Sequence, residues 1–190
     1  MAVVAATAAA AADTAGNGAL DAYIGCDGFA GGVRAVTLDR RAEDAQTWRE
    51  LEFGGQKHRV SVIDGYRLTY SYARDYPFAS LRVERSESSR YREDRDIVTA
   101  YFTGMAKADA ALELSDFSYR GYPVQLLTKK ALGGRTVGAA HILADSDAVI
   151  VTIFFYNQFP EHRSFQTLEE FTSLRDAFVR GYIDCVVRRK

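Results

Sequence analysis

With 190 residues, 47% hydrophobic and 26% charged, the chain has the balance of one folded domain long enough to bury a core, which excludes a disordered polyelectrolyte. Basic and acidic residues number 24 and 25, a net charge of -1, so overall charge does not select nucleic acid as a partner. The tail Arg188-Arg189-Lys190 is too short for a polybasic patch and suits a helix end, where cations meet the negative pole.

Met1 to Ala12 read MAVVAATAAAAA, with no charge before Asp13. A short apolar core ending in small residues fits a signal segment over 1–12, cleaved after Ala10 or Ala12, although the basic n-region is missing. The competing reading is a frayed alanine-rich helix, marginal in water at this length. A transmembrane anchor needs ~20 apolar residues, more than this leader holds. Residues 13–32 carry Gly16, Gly18, Gly25, Gly28, Gly31 and Gly32, a glycine-rich entry segment to a single domain over 33–190. A phosphate-cradling loop fails here, because the extended-looking 33–38 follows where a helix should start.

The two cysteines, Cys26 and Cys185, stand near opposite ends of the chain. Gly25-Cys26 faintly resembles a lipoprotein processing site, but Asp13 and Asp21 interrupt the apolar approach such a site needs. A Cys26–Cys185 disulfide is the better reading. It implies an oxidising compartment, periplasmic or secreted, and closing so long a loop stabilises by ~5 kcal/mol in the chain-entropy model.

Period-two alternation marks strands at Val60 and Val62, then at Tyr66, Leu68, Tyr70 and Tyr72, with Asp64-Gly65 as a turn pair between them. Leu81 and Val83 continue the pattern. A helix is predicted over 89–111, with an apolar stripe of Ile97, Tyr101, Met105, Ala108 and Leu112. Glu93, Asp94 and Asp96 crowd its first turns, where the helix dipole favours acid. Strands follow at 114–119, 124–129 and 135–143, with turns at Gly133-Gly134 and Asp145-Ser146-Asp147. The run 148–156 is apolar on both faces, so it belongs mid-sheet with cover above and below. Thr167-Leu168-Glu169-Glu170 is a capping box that opens a last helix with the stripe Leu168, Phe171, Leu174, Phe178 and Tyr182; Cys185 lies nearly on its continuation. Trp48 and 39–50 stay unassigned. The fold class is therefore α+β, a mostly antiparallel central sheet flanked by at least two helices.

The second half resembles the PsbP-like family. The resemblance rests on Phe117-Ser118-Tyr119 leading to Gly121-Tyr122-Pro123, on the apolar strand ending at Tyr156 and on the final helix over 171–183. It covers roughly 97–186, on packing features, and departs from the family at the N-terminal side, where the only tryptophan is Trp48. It implies an α/β/α sandwich and a non-catalytic binding or accessory module, and carries over no functional residue.

No catalytic or cofactor motif is present, and no cofactor is expected. His58, His141 and His162 lack one-turn spacing for a metal, leaving only a site assembled from distant elements with Asp145, Asp147 or Glu161. Cys26 or Cys185 as a nucleophile conflicts with their being oxidised. Tyr66, Tyr70, Tyr72 and Tyr76 form a possible aromatic surface for a partner, against the plainer reading of strand residues packed beneath a helix. The leading expectation is an exported, non-catalytic domain that engages a partner protein or a small apolar ligand. Its rivals are an extracytoplasmic hydrolase, with carboxylate and histidine groups on loops such as 158–163, and a cytosolic protein with reduced cysteines.

Overall fold

The computed structural model describes residues 18–26, 38–42, 48–71, 77–157 and 165–190. The expected leader 1–12, most of the glycine-rich segment and the loop 158–163 with Glu161 and His162 lie outside the described residues.

A strand that is apolar on both sides demands two covering layers, and Val149–Tyr156 (β9) receives them. It is the middle strand of a seven-stranded antiparallel sheet. In spatial order the strands are Leu38–Ala42 (β1), Asp64–Ser71 (β4), Pro77–Arg85 (β5), β9, Thr136–Ala144 (β8), Tyr122–Lys129 (β7) and Leu112–Tyr119 (β6). Trp48–Phe53 (β2) and Gln56–Ser61 (β3) form a separate hairpin. The helices are the single turn Asp21–Ile24 (α1), then Tyr91–Ala108 (α2) and Leu168–Arg189 (α3).

Alternation along β9 separates the two faces. Val149, Val151, Ile153 and Phe155 point into one large core with the buried side of α3. Ile150 and Phe154 turn the other way, into smaller clusters with α2. The α+β class with helices on opposite sides of one sheet is thus realised.

α3 starts at the expected capping box: the Glu170 amide donates to Thr167 Oγ1 at 3.1 Å, and the Thr167 amide donates to Glu170 Oε2 at 3.2 Å. Its Phe178 meets Tyr70, Phe78 and Phe155 edge-on, with ring centroids 5.1, 5.5 and 5.9 Å away. At its far end Cys185 bonds to Cys26, across Cα atoms 5.9 Å apart, an ordinary disulfide spacing. The staple pins α1 beside α3, burying Leu20 and Tyr23.

Two expectations are corrected. Asp64-Gly65 is no turn; the pair begins β4 opposite Arg85 and Glu84. Val60 therefore belongs to the β2–β3 hairpin, which turns at Gly54 and Gly55, both in the left-handed region that favours glycine (φ 60 and 73). On α2 the fully buried line is Tyr91, Asp94, Val98 and Phe102, whereas Ile97, Tyr101 and Met105 are half-buried beside it. The cause is Asp94. Its carboxylate accepts from the Ser61 amide at 3.2 Å and from the Ser61 hydroxyl, so a charged residue occupies a core column and docks the hairpin on the helix.

Candidate functional site

The later turns of α2 do not seal against the sheet. Small side chains on β8 are the local reason: Gly138-Ala139-Ala140 leave room beside the larger Leu127 and Phe154, which flank Ala139 in register on β7 and β9. The result is a cavity of about 250 Å³ walled by Tyr101, Phe102 and Met105 of α2 and by Leu127, Ala139 and Phe154 of the sheet. Asp109 and Lys129 supply its charged edge, each engaged locally. Asp109 accepts from the Ala111 amide at 2.9 Å, and Lys129 donates to the Gly133 carbonyl at 3.2 Å. A mostly apolar concavity with few polar groups suits a small ligand.

Two residues along each strand from that apolar row lies a polar one. Gln125, His141 and Thr152 are direct cross-strand partners on β7, β8 and β9, and all are buried, at 4, 1 and 1% exposure. The Phe102 ring stacks on the His141 imidazole, centroids 3.7 Å apart and planes 17° apart. So one aromatic side chain both lines the cavity and roofs the polar row. Burial, helped by the nearby Arg49 cation, pushes the His141 pKa down to about 3, which keeps the ring neutral. Arg49 itself pairs with Glu84 at 2.9 Å. Gln125 Oε1, His141 Nδ1 and Thr152 Oγ1 have no hydrogen-bond partner among the described residues. Such an orphaned group costs about 1–3 kcal/mol; Gln125 Oε1 can only accept and calls for a donor, while the Thr152 hydroxyl can donate or accept.

The residues singled out from sequence are scattered. Tyr70 is fully buried and donates to the Cys26 carbonyl at 2.9 Å, so it packs beneath α3 and does not present a partner surface. Tyr66 is half-buried against the same core. Tyr72 and Tyr76 lie outside the described residues. His58 stacks on Phe53 at 4.0 Å in the hairpin, away from His141.

Asp145 accepts from the Tyr91 hydroxyl and from Arg95, both at 2.8 Å, and so ties α2 to the β8–β9 turn. Asp147 is bonded by Tyr23, Lys190 and Ser146. Burial opposes its ionisation, but these bonds outweigh burial and hold its carboxyl below the usual range. Both carboxylates thus serve as structural anchors. No three histidine, cysteine or carboxylate side chains gather as a metal cluster among the described residues.

Sequence reasoning named Tyr101 and Met105 but missed the polar row. Its signal is present: one polar residue interrupts an apolar run in each of Val124-Gln125-Leu126, Ala140-His141-Ile142 and Val151-Thr152-Ile153. No protein-family model matches this chain, and no curated protein matches it, so its function is argued from the geometry above.

Proposed function

We propose that the chain is an exported, non-catalytic binding domain whose ligand is a small, largely apolar molecule held between α2 and β7–β9. The observation that carries this reading is the cavity of about 250 Å³ with Phe102, Met105, Leu127 and Phe154 in its wall. The Cys26–Cys185 bond supports the exported part, because oxidising compartments are where such bonds persist. Helices on both faces of one antiparallel sheet are what a PsbP-like sandwich requires, and the proposal includes that kinship at the level of fold. Asp145, bonded to Tyr91 and Arg95, and Asp147, bonded to Tyr23 and Lys190, act as anchors between elements; the rival hydrolase reading places its groups on the loop 158–163, outside the described residues.

The direct test is a titration of the oxidised protein with p-xylene, followed through carbon-13 methyl signals. Saturable shifts at Met105, Leu127 and Ala139, without movement at Val83 or Val151 on the α3 side, are the expected outcome. Flat titrations at all three cavity methyls would overturn the reading.

A further inference from the structure

We infer that the cavity recognises a neutral molecule with a compact apolar or aromatic body and one hydrogen-bond-donating head, such as a small phenol or alcohol, the head being read by Gln125, His141 and Thr152. The inference rests on the proposed ligand cavity and adds the chemistry of its occupant.

Three observations converge. The cavity wall and the polar row are neighbouring registers of the same three strands, Leu127-Ala139-Phe154 beside Gln125-His141-Thr152. Phe102 touches both, lining the first and stacking on the second. The row holds three buried polar atoms without partners among the described residues, and Gln125 Oε1 can only accept. An apolar occupant leaves that demand unmet; one carrying a hydroxyl satisfies it once the Phe102 ring swings off the imidazole, a single χ1 change. The sign of charge is also selected. A neutral His141 brings no countercharge, and Arg49 lies close enough to disfavour a cationic head. A carboxylate brings only acceptors to a row whose clearest need is a donor.

Thr152→Val swaps the hydroxyl for a methyl of the same shape, and Gln125→Met is the second, similarly sized change. Each is compared with wild type using two probes of equal shape, p-cresol and p-xylene. The quantities read are the two dissociation constants and the nitrogen-15 shift of His141 Nδ1. If the inference holds, p-cresol binds about tenfold more weakly to each variant while p-xylene is unchanged, and only p-cresol moves the His141 signal; tenfold corresponds to ~1.4 kcal/mol, within the range for one such bond. If p-xylene binds but the p-cresol to p-xylene ratio is the same in wild type and both variants, the head is not read by this row; the inference then fails while the cavity reading stands. If neither probe binds, both readings are overturned together.

Discussion

The two faces of the sheet are built to different standards. Beneath α3 the interior is continuous, running from Leu20 and Tyr23 through Tyr70, Phe78 and Phe155 to Phe171, Phe178 and Tyr182. Its polar tips are matched: Tyr70 donates to the Cys26 carbonyl and Tyr182 to the Tyr23 carbonyl, each at 2.9 Å, and Asn157 exchanges bonds with the Phe165 backbone at 3.1 and 3.2 Å. Beneath α2 the apolar contacts break into two smaller clusters, with a cavity and a buried polar row in which Gln125 Oε1, His141 Nδ1 and Thr152 Oγ1 find no partner among the described residues. The difference teaches a division of labour. The α3 face carries the disulfide and the continuous interior, whereas the α2 face keeps the imperfect packing that the proposed ligand binding would require.

The largest expected effect breaks the staple. Reducing the Cys26–Cys185 bond, or replacing both cysteines by serine, should lower unfolding free energy by up to ~5 kcal/mol, measured by urea denaturation with and without reductant. A loss below ~1 kcal/mol would mean the α3 face does not depend on its covalent tie. Next comes Phe178→Ala, which empties the aromatic centre and should cost about 3–5 kcal/mol. Phe102→Ala should cost no more than about half as much, because its site already borders a cavity that lost packing cannot greatly worsen. Equal losses would erase the contrast between the faces.

How much of this was legible beforehand depended on how local the determinants are. The capping box at Thr167 and Glu170 and the two-faced apolar run of β9 are contiguous, and both were read correctly together with the disulfide pair. Period two correctly put Tyr66 and Tyr70 on one face of one strand. Whether that face is wet or covered is decided by α3, about a hundred residues later: Tyr70 is core and Tyr66 packs half-buried against it, while Tyr72 and Tyr76 lie outside the described residues. Asp64-Gly65 and Gly54-Gly55 are both good turn pairs, and only strand pairing chooses between them. Asp94 disguised the buried column of α2, since an acid in a first turn reads as a dipole effect until Ser61 is seen beside it. The candidate site was the least readable. Gln125, His141 and Thr152 become one feature only through register, which no single strand encodes.

Acid sharpens the comparison further. His141 is neutral in the fold, with its pKa down to about 3, whereas in the unfolded chain it titrates near the ordinary value of about 6.5. Between those values the unfolded state binds a proton that the native state refuses, so stability is fully present above about pH 6.5 and falls as pH drops toward 3. The expected slope from this one group is ~1.4 kcal/mol per pH unit between pH 6 and 4. His141→Gln should start lower at pH 7 but lose stability less steeply over that window; parallel slopes for variant and wild type would mean that the imidazole is not the buried neutral group described.

The finest discrimination comes from deleting one oxygen on each face. Tyr70→Phe removes a buried hydroxyl that donates to the Cys26 carbonyl, so it should cost about 1–3 kcal/mol in thermal or urea unfolding. Thr152→Val removes a hydroxyl with no partner and substitutes apolar bulk of the same shape, so it should cost nothing and can stabilise by ~1 kcal/mol. The opposite signs are the point of the pair, because both residues are buried and both changes remove one polar atom. Were Thr152→Val to destabilise as much as Tyr70→Phe, the Thr152 hydroxyl would have to be satisfied within the fold itself, and Thr152 would drop out of the row inferred to read the ligand's head, leaving the cavity and Gln125 Oε1 as its remaining support.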